Sequence, residues 1–77
     1  MGIEKTVGLY SRRDGVERII VVEREDDLFT YKKQAAGRNG TWGKPGPACG
    51  VYDSPETAIA EAKQRVWWLN TDAVDVG

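Results

Sequence analysis

The chain has 77 residues, of which 30% are charged and 40% hydrophobic, with 11 Lys/Arg against 12 Asp/Glu and a formal net charge of −1. This length makes one small domain, which buries only about 60% of its unfolded surface and is modestly stable without staples. A single Cys excludes an intrachain disulfide framework. The lack of any His removes the commonest general base, the usual partner of a Ser or Cys nucleophile and the most frequent transition-metal ligand.

Charge is unevenly spread. Residues 1–50 carry nine Lys/Arg against seven Asp/Glu (+2), and residues 51–77 carry two against five (−3). Neither half has the marked basic excess of a dedicated nucleic-acid binder. There is no apolar run of 18 residues to span a membrane and no basic-then-apolar start of a secretion signal, so a cytoplasmic location is the expectation. In that compartment the sequon Asn39-Gly40-Thr41 is silent.

Ile3 to Arg12 alternates as a strand, and Asp14-Gly15 is a two-residue hairpin signal. Val16 to Arg24 is the second strand. The turn sets Leu9 opposite Ile20 and Val7 opposite Val22 on one face, with Tyr10 opposite Ile19, Gly8 opposite Val21 and Arg12 opposite Glu17 on the other. The run Ile19-Ile20-Val21-Val22 is apolar on both faces, as in a central strand. A second tight turn at Asp26-Asp27 then sets Arg24 opposite Phe29 and Val22 opposite Tyr31. Val7, Leu9, Ile20, Val22, Phe29 and Tyr31 thus collect on one face, and Tyr10, Ile19, Val21, Thr30, Lys32 and Gln34 on the other.

Ala36 to Gly50 is a Gly/Pro-rich connection. Gly37, Gly40, Gly43 and Gly46 are three apart. Four triplets without Pro in the first two cannot support a collagen helix, and the spacing reads as accidental. Asn39-Gly40 can turn Thr41-Trp42 back onto the third strand, Lys44-Pro45-Gly46-Pro47 ends any such pairing, and Gly50-Val51-Tyr52 is a possible short strand before the helix.

The clearest element is SPETAIAEAKQRVWWL, Ser54 to Leu69. Ser54 can cap the first turn, Pro55 suits the first helical position, Glu56 lies at the positive end of the helix dipole, and Lys63 and Arg65 lie towards the negative end. Ile59, Ala62, Val66 and Leu69, widened by Ala58, form one apolar stripe, with Glu61 and Arg65 paired on the solvent side and Asn70 as the stop. A helix over 55–69 is expected. Adjacent residues point about 100° apart on a helix, so Trp67 and Trp68 cannot share one core, and one of them lies at its edge or outside it. Thr71 to Gly77 has no apolar period and is expected to fray.

Together these readings give an α+β fold: an antiparallel meander of three or four strands with one C-terminal helix packed on one face. Residues 1–70 form the domain and 71–77 a flexible tail. Catalytic residues, metal and cofactor are not expected. One Cys and no His cannot build a Cys/His zinc site, the glycines at 37–50 lack phosphate-loop spacing, and Glu23, Glu25, Asp26 and Asp27 read as a solvated turn. Cys49 reads as a small buried hydrophobe. A carboxylate-based enzyme would need a deep pocket, which a one-helix sandwich has little volume to form.

The remaining constellation is aromatic and basic. A single helix covers one side of a sheet, which leaves the Tyr10 face bare. The expected function is therefore a non-catalytic module binding a protein partner, or a second copy of itself, through Tyr10, Arg12, Ile19, Val21 and Lys32 on that face and Arg38, Trp42 and Lys44 in the loop. Trp, Tyr and Arg dominate such interfaces. GVYDSPETAIAEA, Gly50 to Ala62, resembles the strand-to-helix junction of plant ethylene-response-type DNA-binding domains and of integrase arm-binding domains. What the resemblance implies is a sheet face that reads DNA. It supplies the alternative expectation, a nucleic-acid-binding domain using Arg12, Arg13, Lys32, Lys33, Arg38 and Lys44. Glu17, Glu23 and the negative net charge depart from that pattern.

Overall fold

The computed structural model describes residues 4–76; Met1 to Ile3, where the first strand was expected to begin, and Gly77 lie outside the described residues. The elements in chain order are β1 (Lys5–Arg12), β2 (Glu17–Glu23), β3 (Phe29–Ala35), α1 (Pro55–Arg65), α2 (Trp68–Thr71) and β4 (Ala73–Asp75). The strands form a single antiparallel sheet in the order β3-β2-β1-β4, an α+β domain.

The first hairpin keeps the expected register over its central pairs, Leu9 with Ile20, Tyr10 with Ile19 and Gly8 with Val21. Gly15 takes a positive φ of 75° at its turn, and the Asp14 carboxylate accepts from the Val16 N–H at 3.1 Å. Beyond Gly8 the register slips. Thr6, not Val7, pairs with Val22, and Val7 is the extra residue of a β-bulge, exposed to solvent.

The second hairpin differs from the expectation by one residue. Glu23 pairs with Phe29, Val22 with Thr30 and Val21 with Tyr31. The cause is a third loop residue. The Asp27 N–H donates to the Arg24 carbonyl at 3.2 Å, the Arg24 N–H donates to the Leu28 carbonyl at 2.7 Å, and Asp27 sits at φ 65°. A turn followed by a left-handed residue is the usual three-residue hairpin loop. A slip of one residue moves every side chain of a strand to the other face. Phe29 and Tyr31 therefore share a face with Ile19 and Val21, and not with Ile20 and Val22.

That face carries the core. Ile19, Val21 and Tyr31 are buried with Ala58, Ala62, Val66, Trp68 and Leu69, and Tyr10, Phe29, Tyr52 and Ile59 pack around them. Gly8 leaves room here, since a Cβ on it would lie 3.3 Å from the Tyr10 ring and 3.4 Å from Val21. The expectation that Val7, Leu9, Ile20 and Val22 receive the helix is overturned; the opposite side of β1 and β2 does so.

α1 starts as expected, with the Thr57 N–H donating to Ser54 Oγ at 3.1 Å and Pro55 in the first turn. It ends four residues early. Val66 is extended at φ −115°, ψ 103°, and the chain restarts as α2. In one continuous helix Val66 and Trp68 would point about 200° apart. The break lets Val66, Trp68 and Leu69 enter the same core, while Trp67 turns outward with 63% of its surface exposed. Asn70 closes the break by donating from Nδ2 to the Lys63 carbonyl at 2.8 Å, one of the acceptors a helix end leaves unpaired.

The expected flexible tail is corrected too. Ala73–Asp75 pair antiparallel with Arg12–Tyr10 as β4, held further by Arg13 N–H to the Asp72 carbonyl at 2.8 Å and Val76 N–H to the Leu9 carbonyl at 3.0 Å. Ala73 reaches the core. This short strand forms because α2 delivers the chain to the β1 edge; its own sequence has no strand period.

The glycine-rich segment covers the other edge. The N–H groups of Gly43, Gly46, Cys49 and Tyr52 donate to the carbonyls of Ala35, Lys33, Tyr31 and Phe29 at 3.0, 2.7, 2.9 and 2.7 Å. Donors fall every third residue and acceptors every second, the former being the period of an extended polyproline-type backbone. A Cβ on Gly43 or Gly46 would come within 3.4 or 3.3 Å of the carbonyl oxygen each one approaches. At these two positions the three-residue spacing has a structural use and is not accidental. Trp42 makes the expected return, as a bridge to Ala36, and Tyr52 bridges Phe29.

Candidate contact surface

The structure separates the residues expected to form the contact surface. Ile19 and Val21 are 1% and 0% exposed, beneath the helices. Tyr10 is half-buried on the same side. Ile19 and Val21 cannot present a surface and Tyr10 lies beside them on the helix side, because the three-residue loop Glu25-Asp26-Asp27 inverts the faces of β2. Arg12 also lies on the helix side. It pairs with Asp14 at 3.1 Å and with Glu17 at 4.0 Å, and its guanidinium lies 5.0 Å from the Trp67 ring centroid. Burial, and secondarily the Asp75 charge, raise the Tyr10 hydroxyl above its ordinary pKa of 10.0.

Lys32 and Trp42 keep positions on or beside the uncovered side. Lys32 shares that side with Ile20, its partner on β2, and is ion-paired to Glu4. Arg38 and Lys44 are exposed in the connection. Trp42 is half-buried beneath Arg18, whose guanidinium carbon lies 4.2 Å from the ring centroid. Arg18 Nε donates to Gln34 Oε1, and Gln34 Nε2 donates to the Gly43 carbonyl. These contacts tie β2, β3 and the returning segment together.

The uncovered side is thus built in two rows across the strands. One runs Val74, Ser11, Arg18, Gln34, and the next runs Leu9, Ile20, Lys32, with Val76 bonded to Leu9 at the end. Towards β3 it is closed, because Thr30 Oγ1 donates to the Gly50 carbonyl at 2.6 Å and both Thr30 and Gln34 are buried. Towards β4 it opens. Leu9 and Ile20 are half-buried, and Val74 and Val76 are exposed.

Sequence reasoning missed Arg18, Leu9, Ile20, Val74 and Val76. The alternation around Arg18 and Ile20 is visible in the sequence, but which of its sides faces outward depends on the second hairpin's register, one residue off from a tight turn. The Arg18–Trp42 stack joins residues 24 apart through the β3 edge, and no local signal encodes it. Arg24 pairs with Asp26 at 3.0 Å, and the Asp26 carboxylate accepts from the Leu28 N–H at 3.1 Å, so part of the acidic turn is occupied in holding the hairpin.

Among the described residues no group of three or more His, Cys, Asp or Glu side chains could hold a metal ion, and no helix is long and apolar enough to cross a membrane. No family model matches the chain, and neither does a curated protein or a solved structure.

Proposed function

We propose that the chain is a small non-catalytic binding module for a protein partner, which it engages through the sheet face opposite α1 and the adjoining Trp42 loop. The observation that supports this reading is a four-stranded sheet with its helices on one side only, whose other side carries Leu9, Ile20, Val74 and Val76 beside Arg18 and Trp42. Apolar side chains with a Trp and an Arg among them are the composition of a protein interface core. Tyr10, Arg12, Ile19 and Val21 leave the surface first expected; Lys32 and Trp42 stay, with Arg38 and Lys44 exposed in the adjoining loop.

The test is affinity capture from the native host with wild type and with Val74→Glu/Val76→Glu, alongside sedimentation velocity of the chain alone. Both valines are exposed, so the variant keeps its fold while losing most of the partner recovered. Unchanged recovery would count against the reading, and a dimer that the variant dissolves would identify the partner as a second copy.

A nucleic-acid reading is favoured by one observation, the stacking of Arg18 on Trp42 close to exposed Arg38 and Lys44, since aromatics beside cations suit bases and phosphates. Mobility shift with mixed DNA and RNA at two salt concentrations separates the two readings, because phosphate-driven binding weakens steeply with salt.

A further inference from the structure

Of the arginines among the described residues, four have a carboxylate partner. Arg12 pairs with Asp14, Arg13 with Asp72, Arg24 with Asp26 and Arg65 with Glu61. Arg38 has no such partner and projects from the exposed connection. Arg18 is different from both kinds: it is held in place, yet no carboxylate of the described residues holds it. Its Nε is engaged by Gln34, its plane lies on Trp42, and Gln34 and Trp42 are themselves fixed by the Gly43 carbonyl and the Ala36 bridge. The two Nη nitrogens have no hydrogen-bond or ion-pair partner among the described residues, and they are not among the side-chain atoms sealed from solvent. A guanidinium oriented this way has already lost its rotamer freedom before a ligand arrives, which is the condition for strong recognition of a planar anion.

We infer that Arg18 is the anchor of the open sheet face and that it reads a carboxylate on the partner: the ligand is a protein segment with an Asp or Glu set between apolar residues. This rests on the protein-binding reading above. Charge complementarity supports it. Glu4 on this face is taken by Lys32, so Arg18 is left as a positive point without a carboxylate partner among the described residues, in a chain of net charge −1. The apolar residues Val74 on its own row and Leu9, Ile20 and Val76 on the next supply the flanking contacts. A nucleic acid fits less well, because its affinity grows with the number of phosphates neutralised, and Leu9, Ile20, Val74 and Val76 make the face around Arg18 mostly apolar.

The experiment pans a displayed library of random twelve-residue peptides against the full chain. The selected peptides are then mapped by chemical-shift changes of the backbone, the Trp42 indole and the Arg18 Nε–H. Peptides enriched in Asp or Glu beside apolar residues, shifting Leu9, Arg18, Ile20 and Val74, are expected. Arg18→Gln should weaken such a peptide about tenfold or more, the usual size of a charged hydrogen bond. Replacing the peptide's acid by its amide should weaken it equally, and the two changes together should cost little more than either alone. The amide peptide leaves the protein untouched, so an Arg18→Gln chain that unfolds does not blunt the test. Peptides that bind this face without an acid, or that ignore Arg18→Gln, overturn the carboxylate while leaving the contact surface standing. Peptides that map elsewhere, a selection that enriches nothing, or salt-steep binding of a DNA or RNA duplex with no peptide bound, overturn both.

Discussion

Trp67 and Trp68 are neighbours in the chain and opposites in the fold. Trp68 is 1% exposed in the centre of the core, and Trp67 is largely in solvent with the Arg12 guanidinium above it. Trp68→Ala should therefore cost about 3–5 kcal/mol, the range for emptying a buried aromatic site. Trp67→Ala should cost about 1 kcal/mol or less, since an exposed cation–π contact is worth about 0.5–1. Urea unfolding of both variants measures the difference. The indole N–H of Trp68 is buried without an acceptor among the described residues, an arrangement that costs about 1–3 kcal/mol. Trp68→Phe should accordingly lose less than its volume alone would suggest. Tyr31 supplies a pH dependence. Burial, and after it the charges of Cys49 and Tyr52, raise its hydroxyl above 10.0. Below 10.0 the ring is neutral in both folded and unfolded chains and its stabilising contribution is complete. As pH rises past 10.0 the unfolded chain ionises first, and stability falls until the folded ring titrates. Tyr31→Phe should flatten that fall, with the remainder from Tyr10, whose hydroxyl is raised as well.

At the scale of elements, two short connections set the architecture. Asp27 at φ 65° completes a three-residue loop in the second hairpin, one residue longer than a tight turn, and that length decides which side of β2 meets the helices. Asp tolerates this conformation better than most residues, and Gly tolerates it freely. Asp27→Gly should leave stability unchanged or raise it by up to about 1 kcal/mol, whereas Asp27→Val should lower it by about 1–2 kcal/mol; thermal unfolding distinguishes them. The returning segment is the second connection. Its N–H groups cover the β3 edge, where a bare row of carbonyls would invite pairing with other chains. Gly46→Ala places a methyl group 3.3 Å from the Lys33 carbonyl oxygen and should loosen that cover. Faster amide exchange at Gly46 and Cys49, with β1 and β2 protected as before, is the expected result.

At the scale of the whole molecule, one layer of helix against one sheet leaves two unlike surfaces. Ile19 and Val74 both sit on strands of the sheet, but Ile19 is core and Val74 is surface. Ile19→Ala should cost about 2–5 kcal/mol, and Val74→Glu should stay within about 0.5 kcal/mol, as surface changes do. The candidate surface was only partly legible beforehand. Lys32 and Trp42 are legible beside the open face through the third strand's alternation and the Asn39-Gly40 turn. Tyr10, Ile19 and Val21 were misplaced because β2 is apolar on both sides, so β2 cannot itself say which side is inside. Only the aromatic pair Phe29 and Tyr31 could mark the inner face, and that mark reaches β2 through a loop whose length was off by one.

The capped start of α1, the central register of the first hairpin, the inward aromatics of β3 and the outward turn of one tryptophan were all determined by the sequence itself. Each depends on interactions within a few residues: a hydroxyl over a first turn, a glycine at positive φ, a period of two or 3.6. The end of α1 at Val66, the strand Ala73–Asp75, the use of Gly43 and Gly46, and the meeting of Arg18 with Trp42 were decided by the tertiary structure. In these cases a local preference yields to something distant: a core that must take Val66, Trp68 and Leu69 together, and a sheet whose two edges are met by chain segments brought to them from elsewhere.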